Sequence, residues 1–197
     1  IDLVKAIANS GHEIGHHGYM HEPPATLTEL EESNILDQGT EILANLTGAR
    51  PVGYRSPSWE LSQHSVKLLK EKGFYYDSSL MGNDIPYTVE TGIGQLIEIP
   101  IHWELDDHPY FNYIPYLKQT NVISNPKNVY ESWCSAFEGL YHYERSFVLT
   151  MHPWIIGRPG RLMMLDKLIN HIKTFSGVQF FTAAQLAALY EKSTDRN

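Results

Sequence analysis

Ser146-Phe147-Val148-Leu149-Thr150-Met151-His152-Pro153 is the stretch on which the fold turns. Ser146 to Met151 reads as a strand too apolar to keep one face in water, and Pro159 to Phe175 behind it reads as a helix. The same alternation extends both ways. Downstream, Val178 to Phe181 is a strand and Thr182 to Glu191 a helix capped by Thr182. Upstream, Pro126 to Tyr143 is a helix and Gln95 to Ile101 a strand built on Leu96, Ile97 and Ile99. Phe74 to Tyr76 is a strand, Ser62 to Lys72 a helix closed by Gly73, and Val52 to Tyr54 a strand. Thr28 to Leu46 is a long helix opened by a Thr28-x-x-Glu31 capping box and ended by Gly48 and Pro51. His12 to His16 is a short strand, preceded by a helix from Asp2 to Asn9 that Gly11 stops. Strands alternating with helices predict an α/β fold with parallel strands under a helical cover. An open doubly wound sheet and a closed barrel both fit.

The 197 residues suit one domain, 1–197, with a sizeable core. With 42% hydrophobic and 19% charged residues the chain is not of the disordered class. No apolar run approaches the roughly 18 residues of a membrane helix, so no membrane partner is expected. Fifteen basic against 23 acidic residues, a net charge of -8, argue against a nucleic-acid partner. The single Cys134 excludes a disulfide framework and a Cys-rich zinc site. No basic-then-apolar leader is visible, which favours a cytoplasmic location. The first residue is Ile1, and the native N-terminus is expected upstream.

Reactive residues of such folds collect just after the strands. After the first comes Gly15-His16-His17-Gly18-Tyr19-Met20-His21-Glu22. His17 and His21 are four apart, a spacing at which two imidazoles can meet one divalent ion. His12 and His16 are the competing pair, and strand alternation puts His16 on the face opposite His17. After the second strand, Arg55-Ser56-Pro57-Ser58-Trp59 reads as a site wall: Arg orients carboxylates, and Trp stacks on sugars or fills a cleft. Asp77-Ser78-Ser79 reads first as a cap or turn. His102 to Phe111, dense in aromatics, carboxylates and His, reads as a solvated loop, with a pocket lining or second metal site as the sharper alternatives. His152, fixed by Pro153, is well placed for general acid work.

Gly11-His12-Glu13-Ile14-Gly15 with His17-x-x-x-His21, then Arg55-x-Pro57-x-Trp59, then Leu149-Thr150-Met151-His152-Pro153, resembles the polysaccharide deacetylase family, carbohydrate esterase family four. Tyr76-Asp77-Ser78-Ser79 and Leu105-Asp106-Asp107 look most like its bacterial branch of peptidoglycan-deacetylase-like proteins. The resemblance implies a distorted, incomplete (β/α) barrel, here lacking its N-terminal strand. It implies a divalent ion, zinc by preference, held by His17 and His21 with an Asp. It gives Arg55 the role of orienting a catalytic carboxylate, His152 that of general acid, and Asp77 that of steadying the network. Trp59, Pro57, Tyr19 and Trp154 are the expected substrate contacts. Two departures stand out. The family's Asp-rich first motif, source of the base and third ligand, is absent and is expected upstream of Ile1, with Asp106 or Asp107 as the substitute ligand otherwise. Gly18 stands where most of the family has Ser or Thr.

The implied activity is metal-dependent amide hydrolysis, a hydrolase reaction of carbohydrate metabolism: N-deacetylation of an N-acetylated sugar or glycan. The rivals are hydrolysis of a small cyclic amide or imide, and a non-catalytic glycan-binding homologue. The expected partners are the N-acetylated carbohydrate or small amide substrate and a second copy of the chain in a homo-oligomer.

Overall fold

A computed structural model of the protein describes residues 1–114 and 122–194. Two compact units emerge: residues 1–100 with 181 onwards, and residues 101–180.

The first unit holds helices α1 (Asp2–Asn9), α2 (Glu29–Thr47), α3 (Ser65–Glu71) and α8 (Ala183–Thr194), and strands β1 (Gly53–Tyr54), β2 (Tyr76–Asp77), β3 (Tyr87–Glu90) and β4 (Gln95–Glu98). The capping box at Thr28 forms as read, satisfying orphan N–H groups at the start of α2, and Gly48 ends the helix in the left-handed region at φ 78°. Thr182 and Gln185 cap α8 reciprocally in the same way. The sheet runs β1-β2-β4-β3. The first three of these strands are parallel, and β3 joins β4 antiparallel. Its register sets Gly53 beside Tyr76 and Asp77 beside Glu98. Gly53 is obligatory, because a Cβ there would lie on the Tyr76 ring. Leu36, Tyr54, Leu68, Leu69, Phe74 and Leu96 form the core under α2 and α3.

The second unit holds α4 (His108–Phe111), α5 (Pro126–His142), α6 (Pro153–Ile156) and α7 (Pro159–Ile172). Val129, Trp133 and Phe137 recur every four residues along α5, as Met164, Leu168 and Ile172 do along α7, so each helix turns one apolar stripe inward. No helix among the described residues is long and apolar enough to cross a membrane.

Several expected strands are corrected. Among the described residues, His12 to His16 contributes one parallel bridge, His16 to Tyr54, and Ser146 to Met151 another, Thr150 to Asp106. Thr150 pairs with the turn at residues 103–105, whose 3-10 curvature leaves no straight partner beyond one rung. Val178 to Phe181 is irregular, and its Phe180 and Phe181 are exposed rather than buried as the apolar reading required. β3 was not expected. Its hairpin closes on Thr91–Gly94, where Thr91 N–H donates to the Gly94 carbonyl and Gly92 and Gly94 take positive φ. The 102–111 segment is no solvated loop: it holds a 3-10 turn and α4, and Asp106 and Asp107 are buried.

Candidate active site

In the first unit, His16 and His17 diverge as strand alternation requires. His16 is buried beneath α2, while His17 reaches the surface. The backbone between them is held to β1: His16 N–H donates to the Gly53 carbonyl and Arg55 N–H to the His16 carbonyl, at 2.8 and 2.9 Å. Nδ1 of His17 lies 2.6 Å from the carbonyl oxygen of Arg55. That contact makes Nδ1 the protonated nitrogen and leaves the lone pair on Nε2, the arrangement of a neutral imidazole ligand oriented by a main-chain acceptor.

His21 meets His17 edge to face, with ring centroids 5.0 Å apart. It gets there through a left-handed backbone, φ 62°, which is uncommon for a residue with a Cβ. Glu22 stabilises the turn: its Oε2 accepts N–H bonds from Tyr19 and Met20 at 3.0 and 2.8 Å. Partial burial would raise the Glu22 carboxyl, but its own main-chain N–H, followed by those of Met20 and Tyr19, holds it below the ordinary carboxylate range. The departure at Gly18 has a local cause, since its φ is 75° and a Cβ would press on Pro57 and Glu22. Two close imidazoles with one tautomer fixed fit a divalent ion, and their donor chemistry suits zinc.

Arg55 donates from Nε to the Ser78 carbonyl at 3.0 Å and from Nη2 to Ser78 Oγ at 2.8 Å. Asp77 lies in β2, fully buried, with Oδ1 accepting from Ser79 Oγ at 2.7 Å. Burial pushes its carboxyl above the usual range. Pro57 and Trp59 are enclosed, Trp59 with only 8% exposure, whereas Tyr19 is 44% exposed.

In the second unit, the dominant feature is a carboxylate–imidazole pair. Asp107 Oδ1 lies 2.7 Å from His152 Nδ1, and Asp107 Oδ2 accepts the His152 main-chain N–H at 3.0 Å. Asp107 has no exposed side-chain surface, while His152 keeps 25%. The two-point grip sets both ring orientation and tautomer, and leaves Nε2 as the ring nitrogen that Asp107 does not engage. Asp106 accepts from His108 N–H at 2.6 Å, and burial raises its carboxyl. The Trp154 ring stands 5.0 Å from the His152 ring and is 68% exposed. Donor atoms of Asp106, Asp107 and His152 all lie within 4.8 Å of one another, a spacing that could take a cation. The hydrogen bonding favours an acid pair, because Asp107 uses both oxygens on His152 itself.

The sequence reading singled out His17, His21, Arg55, Asp77 and His152. It missed the Asp107 grip on His152 and the Glu22 brace. An acidic residue beside the His cluster was the available signal for Glu22.

The family model for polysaccharide deacetylase matches residues 1–76. The peptidoglycan deacetylase of Helicobacter pylori is 33% identical over 221 residues, covering 99% of this chain and 75% of that protein. The chain belongs to the polysaccharide deacetylase family. It is thereby a hydrolase of carbon–nitrogen bonds other than peptide bonds. A solved Mycobacterium smegmatis structure assigned to polysaccharide deacetylases superposes with a TM-score of 0.93 and 38% identity, covering 98% of this chain and 68% of that one. Puue allantoinase superposes at 0.85 with 26% identity, covering 97% and 63%. The α/β fold is that of the deacetylases, with a sheet that stays open among the described residues, as an incomplete barrel requires.

Proposed function

We propose that this polysaccharide deacetylase removes the acetyl group from an N-acetylated sugar of a glycan, releasing acetate and a free amine. The observation that carries the reading is the Asp107–His152 pair. An amine leaves poorly unless it is protonated, so amide hydrolysis needs a positioned acid. His152 is that acid: it holds a proton at Nε2 for the leaving nitrogen, while Asp107 stabilises the imidazolium from the Nδ1 side.

His17 and His21 are the proposed ligands of a divalent ion, zinc by donor chemistry. Such an ion supplies Lewis-acid polarisation of the amide carbonyl. Arg55, bonded to Ser78, takes from the family resemblance the proposed role of orienting a catalytic carboxylate. Trp154, exposed beside His152, offers a face for a sugar ring, and Tyr19, in the His17–His21 loop, also presents an exposed ring.

The likeness to Puue allantoinase favours a second reading, hydrolysis of a small cyclic amide. Supplying the protein with N-acetylglucosamine oligomers and with a cyclic imide, and comparing kcat/KM, tests the choice. The glycan reading requires the oligomers to win and to improve with chain length. A cyclic substrate turned over alone sinks it.

A further inference from the structure

Asp77 and Glu98 are register partners on adjacent parallel strands, β2 and β4, and each is 1% exposed. Their donors can be followed oxygen by oxygen. Glu98 Oε1 accepts the main-chain N–H groups of Ser79 and Leu80, both at 2.9 Å. Asp77 Oδ1 accepts from Ser79 Oγ. The remaining oxygens, Asp77 Oδ2 and Glu98 Oε2, are buried with no donor from any other described residue. The two carboxyls stand in register on neighbouring strands and act on each other electrostatically. Two carboxylate oxygens have no hydrogen between them, so neither can satisfy the other without a proton. Two adjacent buried negative charges would also be strongly unfavourable.

We infer that Asp77 and Glu98 share one proton, carried on Glu98, and that this acid pair is a positioning device holding the Ser78–Leu80 turn and, through Ser78, the guanidinium of Arg55. Ser78 is the link. Its Oγ donates to the Ile99 carbonyl at the end of β4 and accepts from Arg55 Nη2, both at 2.8 Å. The charged and titratable groups that face the pair are Arg55, Tyr54 on β1, Tyr76 on β2 and Tyr87 on β3. The phenols stay neutral, since burial raises all three. Burial raises Asp77 as well, while Arg55 favours its charged form. Burial, and then the Asp77 charge, push Glu98 up to about 10. The proton sharing does not depend on the enzyme's reaction; the consequence for catalysis rests on the Arg55 role proposed above.

The sign of the effect on stability is specific. The folded protein keeps a proton that the unfolded chain loses above its ordinary glutamate pKa. Stability therefore falls as pH rises from there toward the folded value. Glu98→Gln replaces the acid by a neutral isostere that offers the same acceptor to Ser79 and Leu80 and a donor to Asp77.

The test is carbon-13 NMR of the unmodified protein with labelled side-chain carboxyls. One glutamate resonance should keep the chemical shift of a carboxylic acid at neutral pH, titrate only under alkaline conditions, and vanish in Glu98→Gln. In parallel, the Tm of the wild type should drop relative to that of Glu98→Gln between about pH 6 and about pH 9. For positioning, Glu98→Ala should lose kcat on an acetamide, and Glu98→Gln should recover most of it. An ionised Glu98 at neutral pH, or a Glu98→Gln protein less stable than wild type at every pH, overturns the shared proton. A persistent acid signal with no rescue of kcat by Gln overturns the positioning role alone.

Discussion

Asp107 and His152, 45 residues apart in sequence, are joined at two points: carboxylate to ring Nδ1, and carboxylate to main-chain N–H. A side chain held at both backbone and ring has lost most of its rotational freedom before any substrate arrives. That is the preorganisation a proton donor needs.

Removing the acid should therefore act on turnover. His152→Ala should lower kcat by about 100-fold or more with KM little changed. Asp107→Asn keeps the shape but can favour the wrong tautomer, and should lower kcat by at least about 10-fold. Steady-state kinetics on an N-acetylated oligosaccharide, with Tm as the folding control, reads both. Unchanged kcat in Asp107→Asn would remove Asp107 from the mechanism.

Metal content should follow His17 and not its neighbour in the rival pair. His17→Ala should abolish bound divalent ion in elemental analysis, and His12→Ala should leave it at the wild-type level. With zinc, a metal-loaded crystal should show the His17 and His21 nitrogens at about 2.0–2.1 Å from the ion. An ion found at His12 and His16 would contradict this assignment.

Gly39 in the middle of α2 should resist a change that usually helps a helix. Gly→Ala inside a helix ordinarily stabilises by roughly 0.5–1 kcal/mol. Here the new Cβ would fall on Nε2 of the buried His16. Gly39→Ala should instead destabilise by about 1–3 kcal/mol in urea unfolding, the usual cost of overpacking. A gain in stability would mean that the His16 ring moves freely aside.

His16 should also mark the acid limit of the fold. Burial lowers it from 6.5 to about 4, against the carbonyls of Leu36 and Ile35, which pull the other way. Its Nδ1 accepts the Gly18 N–H, a bond that protonation at that nitrogen would abolish. The unfolded chain binds this proton first, so the contribution of neutral His16 is present above pH 6.5 and lost as pH falls toward 4. Stability measured across that window should fall up to about 3 kcal/mol further in the wild type than in His16→Gln. Parallel curves would show that His16 does not titrate there.

What the sequence disclosed was what short-range chemistry determines. The cap at Thr28, the stop at Gly48 and the prolines opening α5 and α7 act within a few residues, and those helices stand close to where they were read. His17, Arg55 and His152 were visible because each follows a segment that reads as a strand. The single bridges at His16 and Thr150 were not, because the length of a parallel pairing depends on the straightness of a partner far along the chain. The β3–β4 hairpin was legible in Thr91-Gly92-Ile93-Gly94 and was passed over. Asp107 looked like part of a wet acidic loop; its burial depends on His152 arriving 45 residues later.

The central claim is hydrolytic removal of an acetyl group with His152 as proton donor. The most direct test is to measure acetate and primary amine together from a purified N-acetylated glycan incubated with the protein and a divalent ion. The account predicts equal amounts of the two products from wild type, and a rate reduced about 100-fold or more in His152→Ala at full metal content. Wild-type protein releasing neither product, or a His152→Ala variant releasing both at the wild-type rate, would contradict it.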